Sequence, residues 1–317
     1  NRSSAVKDPA HLAYMGSGWA SRSAETLAQH EVAPYAAARR DAIAERFPGK
    51  TLVFYAGVHK QRSNDTDYRF RPHSAFTHLT GWGRHAVPGS VLVIETTSNG
   101  EIASEVLYLL PTAGHGTDEF FANPTIGEFW VGPRPSLGDV SQLLDIETRD
   151  LAGFTEPANA LRIGSIGLQD RDSYEDDFEL VEAAAELRLI KDDYEVREMQ
   201  QACDASAVGF ANVLRELERA KAHPRGERVV ETAFFAAARE LGNEIGYDTI
   251  AASGDHANTL HWIINDGPVV DGDLLLLDAG VEVDSLYTAD ITRTIPVNGK
   301  FSPVQRKIYE GVREAAD

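Results

Sequence analysis

Four consecutive leucines at positions 274–277 run straight into Asp278-Ala279-Gly280, and a second β-type run, Tyr287-Thr288-Ala289-Asp290-Ile291-Thr292-Arg293-Thr294, follows after a turn-rich stretch. Few arrangements satisfy both. A run of leucines is apolar enough to form a strand buried on both faces, and a carboxylate at the end of such a strand must be paired, protonated or metal-bound. The two runs read as a hairpin that draws the aspartates together, where like charges repel unless a cation lies between them. Hard divalent ions supply that charge, and a pair of them is a device for activating water. Taken singly, each aspartate reads as readily as a turn residue, an Asp before Ala-Gly above all. The pair, with Thr292 and Arg293 following in an alternating strand, favours the cation.

The remaining composition narrows the function classes. Net charge is -19, from 49 acidic against 30 basic side chains, so a polyanion is repelled at long range and nucleic acid is not an expected partner. At 317 residues the chain exceeds one ordinary domain, and two are expected, divided at 177/178. Cys203 is the only cysteine, which excludes an intrachain disulfide and fits a reducing compartment. No apolar run is long enough to span a bilayer, and the start Asn1-Arg2-Ser3-Ser4 lacks a signal peptide's apolar core, so no membrane partner and a cytoplasmic location are expected.

Along the chain, residues 33–47 carry helical spacing that Pro48-Gly49 stops. Strands are expected over 51–58, 90–95 and 105–110, the last two separated by the turn signal Thr97-Ser98-Asn99-Gly100. Helices near 136–144 and 156–163 complete an α/β first domain. The acidic segment 169–177 reads as a linker. Asp192-Asp193-Tyr194-Glu195 opens a long helix, whose apolar stripe of Val196, Met199, Cys203, Phe210, Leu214 and Leu217 is expected in the core. A second helix follows over 228–241.

Three stretches resemble a known family. Tyr247-Asp248-Thr249-Ile250, Ser253-Gly254, Thr259-Leu260-His261-Trp262 and Asp271-Gly272-Asp273 lead into the leucines, and Asp290-Ile291-Thr292-Arg293-Thr294-Ile295-Pro296-Val297-Asn298-Gly299-Lys300-Phe301 ends the hairpin. Together they resemble the catalytic domain of aminopeptidase P, a pita-bread metallopeptidase akin to prolidase, methionine aminopeptidase and creatinase. Residues 62–76, with Leu79-Thr80-Gly81-Trp82 and Glu128-Phe129-Trp130-Val131-Gly132-Pro133-Arg134, resemble that family's amino-terminal domain. Without the family, interleaved arginines and aromatics would suggest a nucleic-acid stripe, which the charge balance opposes.

The resemblance implies a creatinase-like α/β amino-terminal domain followed by the first half of an α+β pita-bread domain. It implies hydrolysis of the bond between an amino-terminal residue and proline, with two divalent ions, most often manganese, held in part by Asp278 and Asp290. His261 matches a catalytic histidine beside the scissile bond, an imidazole satisfied within a sheet being the alternative. Tyr247 matches a tyrosine lining the substrate cavity, with plain packing as its alternative, and Arg293 is a candidate to hold Asp290 in place or an exposed strand arginine. The family completes its cage with one histidine and two glutamates downstream. Here a helix opened by Ser302-Pro303-Val304-Gln305 runs to Asp317 without a stop signal. The expectation is therefore a chain lacking the second half of the catalytic domain, binding metal weakly and inactive alone. The loop between the aspartates reads as a residue longer than the family pattern, an excess for the turn or a bulge to absorb. Prolidase, and a non-catalytic binding protein of the same fold, stay as alternatives; a homodimer or homotetramer is the expected assembly.

Overall fold

The structure, a computed structural model, describes residues 8–20, 28–164 and 176–317. Its contacts form two compact units, one ending at Asp192 and one spanning Asp193–Asp317.

In the first unit, helix α1 (Ala33–Glu45) precedes strand β1 (Thr51–Tyr55), helix α2 (Ser74–Thr80) and the antiparallel pair β2 (Val91–Thr96) and β3 (Ile102–Leu109). Helix α3 (Leu137–Leu144), strands β4 (Glu147–Asp150) and β5 (Leu161–Ile163), and helix α4 (Phe178–Leu187) follow. The sheet order is β4-β3-β2-β1-β5, with β4 and β5 parallel to their neighbours. The turn expected between β2 and β3 forms: Gly100 takes a positive φ of 83°, and its amide donates to Thr97 O. One sheet face buries Phe54, Leu92, Ile94 and Leu107 together with Ile43, Phe76, Leu144 and Leu180 from the helices. Each such side chain withdrawn from water contributes roughly 2 kcal/mol. Arg40 is enclosed in the same unit, its guanidinium gripping both oxygens of Glu105 at 2.6 and 2.9 Å and Leu79 O at 2.9 Å.

Two expectations change here. Residues 156–163 form no helix, because Leu161–Ile163 pairs in parallel with β1, and Pro157 and Gly164 frame the stretch. The unit boundary lies at Asp192/Asp193 rather than at 177/178, because Leu180, Ala183 and Ala184 of α4 pack into the first core. Most of the segment read as a linker, residues 169–175, lies outside the described residues.

The second unit opens with two helices packed on each other, α5 (Asp193–Lys221) and α6 (Gly226–Leu241). Strands β6 (Ile250–Ser253), β7 (Leu274–Ala279) and β8 (Ile291–Pro296) make an antiparallel sheet in the order β8-β7-β6. Helix α7 (Pro303–Ala316) follows with the expected capping box between Ser302 and Gln305. Helix α5 buries only part of the stripe expected of it: Phe210 and Leu217 pack against the core. Its inward side is Ala202, Ala205, Ser206, Gly209 and Val213, while Cys203, Val196 and Leu214 are exposed. Close helix packing selects the small residues: a Cβ at Gly209 would lie 2.6 Å from the ring of Phe234 on α6. The leucine run is likewise buried on one face only. Leu275, Leu277 and Ala279 enter the core under the helices, whereas Leu274, Leu276 and Asp278 alternate onto a half-exposed face. Among the described residues no helix is long and apolar enough to cross a membrane.

Candidate metal centre

Pairing fixes where the two aspartates stand. Asp278 lies opposite Thr292 and Ala279 opposite Ile291, so alternation puts Asp278, Asp290 and Thr292 on one face. The same register continues outward, with Ala289 donating to Val281 O, Glu282 bridged to Thr288, and Val283 donating to Tyr287 O. No bulge interrupts it. The tip is the three residues Asp284, Ser285 and Leu286, a three-residue turn with one left-handed position, Leu286 at a φ of 71°. Helix α5 anchors this hairpin through Glu195, which accepts from Tyr287 Oη at 2.7 Å, and Glu198, which accepts from Ser285 Oγ at 2.5 Å.

Tyr247 connects the pair. Its hydroxyl donates to Asp290 Oδ1 at 3.0 Å. Burial raises its phenol pKa, and the facing carboxylates Asp278 and Asp290 push it further in the same direction. The ring reaches them across Gly280, where a Cβ would lie 3.3 Å from Tyr247 Cε1 and only 1.5 Å from Ala289 O. Glycine is therefore required at the residue two beyond Asp278. Thr292 Oγ1 donates to Asp278 Oδ2, but Asp278 Oδ1 is buried without a hydrogen-bond partner among the described residues. Two carboxylates on one face, one with an orphaned buried oxygen and both served, among the described residues, only by hydroxyls, have the chemistry of a seat for a hard cation.

Arg293 is not brought to Asp290. It belongs to the opposite face of β8, where with Phe210, Leu214, Leu277, Ile291 and Ile295 it lines an apolar cleft of about 370 Å³, and its guanidinium donates to Thr292 O at 2.7 Å. Strand alternation already separates position 293 from 290 and 292, the signal that excludes it as a partner. His261 lies exposed on the segment between β6 and β7, and its ring makes no hydrogen bond among the described residues. Sequence reasoning missed Glu227 at the start of α6. This fully buried carboxylate accepts from both His256 and Trp262, which flank His261; its only signal in the sequence is an acidic residue in a first helical turn.

Comparison with known proteins matches the chain to a family. Residues 36–161 match the aminopeptidase P N-terminal domain family, and residues 197–317 match metallopeptidase family M24. Xaa-Pro aminopeptidase 1 of Streptomyces coelicolor is 43% identical over 314 residues, covering 96% of this chain and 62% of the relative. This chain belongs to the aminopeptidase P family of M24 metallopeptidases. Xaa-Pro aminopeptidase 2 of the same organism is 42% identical, with 96% of this chain and 66% of the relative covered. The chain thus spans a little under two thirds of the length of these relatives. A zinc-substituted Escherichia coli aminopeptidase P in complex with product superposes with a TM-score of 0.69 at 25% identity, covering 90% of this chain and 67% of that one. The aminopeptidase P amino-terminal domain followed by part of a pita-bread domain is therefore the architecture.

Proposed function

We propose that the whole protein is an Xaa-Pro aminopeptidase, hydrolysing the peptide bond between a first residue and a following proline. The observation that carries this reading is the convergence of Asp278 and Asp290 on Tyr247, with Asp278 Oδ1 left without a hydrogen bond among the described residues. The names of the Streptomyces relatives support a proline-directed aminopeptidase over prolidase.

In this reading Asp278 and Asp290 hold divalent ions, with manganese as the metal of choice. Two carboxylates do not fill the shells of two ions, and among the described residues no group of three or more His, Cys, Asp or Glu is placed to hold a metal. The remaining ligands belong to a segment of the whole protein outside this chain. When bound, the ions supply Lewis acidity and lower the pKa of water. The chain's own groups do the rest. Tyr247 holds Asp290 by its hydroxyl and Thr292 holds Asp278, which fixes both carboxylates in orientation. His261 donates to the substrate carbonyl region, where charge develops. A prolyl nitrogen carries no N–H, so the site needs no acceptor there. Subunits assemble as a dimer or tetramer.

The test is release of the first residue from a tripeptide with proline second by the manganese-loaded whole protein. Release from that peptide, and none from its alanine counterpart, is the expected result; no release from either ends the proposal.

A further inference from the structure

Glu227 has all four of its acceptor positions occupied by one segment. Oε1 accepts from Ser253 N and from His256 Nδ1, both at 2.8 Å; Oε2 accepts from Trp262 Nε1 at 2.9 Å and from Gly267 N at 2.7 Å. Because an ionised carboxylate only accepts, His256 carries its proton on Nδ1. Ser253 and Gly267 are the two feet of the segment that bears His261, so a single group closes that loop. Within it, the rings of His256 and Trp262 stack with centroids 3.9 Å apart and 24° between planes. Arg228, the next residue, donates to Ile264 O at 2.8 Å and Asn265 O at 3.2 Å. Gly267 has no room for a side chain, since a Cβ would lie 2.5 Å from His256 Cε1 and 2.9 Å from Glu227 Oε2. The first turn of α6 thus grips the loop from below, and the helix N-terminus favours the buried charge.

A loop merely needing shape would be filled by an apolar plug, because an enclosed carboxylate is costly to desolvate. The donors chosen here point to another purpose: they fix Trp262, immediately after His261, and His256, five residues before it, while His261 itself is left exposed. We propose that Glu227 is a positioning residue, which acts through His256 and Trp262 to hold the 254–266 loop in the one conformation that presents His261 to the substrate. This rests on the role proposed above for His261.

Glu227→Gln would turn an amide group onto two of the N–H donors and risks failure to fold, so the test uses Trp262→Phe, which keeps the stacked ring and deletes one donor. Steady-state kinetics of the manganese-loaded whole protein are compared for wild type, W262F, H261A and the double variant. We expect W262F to lower kcat on the order of tenfold with KM little changed, and to cause no further loss of kcat when His261 is already alanine. Amide hydrogen exchange at Ser253 and Gly267 should quicken in W262F with the rest of the second unit unchanged. Equal losses in both backgrounds, an unaltered kcat in W262F, or unaltered exchange at those two amides would overturn the proposal while leaving His261 catalytic. Full activity of H261A alone would overturn both the role of His261 and this proposal.

Discussion

In the first sheet Glu105 meets the guanidinium of Arg40, and Glu156 meets that of Arg162. In the second sheet Asp278 and Asp290 have no Lys or Arg partner among the described residues and are met by the hydroxyls of Thr292 and Tyr247. The same side-chain chemistry serves two ends. Where a guanidinium neutralises it, the carboxylate belongs to the architecture, and removing its partner harms folding. Where only hydroxyls meet two carboxylates on one face, the charge is uncompensated, and a cation is what the arrangement suits.

Substitutions that strike one side of this contrast should leave the other untouched. The largest effect is expected for Asp290→Asn in the manganese-loaded whole protein: a loss of about a thousandfold in kcat/KM, near 4 kcal/mol, with the far-ultraviolet circular dichroism spectrum unchanged. Unaltered turnover would remove Asp290 from the site. Next, Arg40→Ala should destabilise the first unit by about 3 kcal/mol in urea unfolding, because it strands Glu105 and opens a cavity. A cost near zero would mean that the pairing of Arg40 with Glu105 does not support the first unit's fold. The smallest effect is opposite in sign. Asp278→Asn in the metal-free chain should gain about 0.5–1 kcal/mol, since it relieves repulsion between carboxylates while its side-chain oxygen still accepts from Thr292. A destabilised Asp278→Asn would show that the carboxylate is structural after all.

Features set by neighbouring residues were legible in the sequence. Ser302 caps its helix in the expected capping box, and the turn at 97–100 and the hairpin joining Asp278 to Asp290 follow from local patterns. What depends on distant partners was not. Residues 161–163 become a strand because β1 offers an open edge, and α5 turns its glycine and alanines inward because Phe234 lies against Gly209, which leaves Cys203 exposed. The leucine run shows one buried and one half-exposed face, an alternation that four identical residues cannot signal. Arg293 could have been placed by strand alternation alone, whereas Glu227 could not: its donors come from positions 253, 256, 262 and 267, which only the folded chain gathers.

The central claim is that Asp278 and Asp290 together form a cation seat, and manganese-dependent thermal unfolding of the whole protein tests it most directly. The unfolding midpoint of the wild type should climb with manganese concentration, as ligand binding to the native state requires, and the D278N/D290N double variant should show no such climb. An equal climb in the double variant would contradict the account.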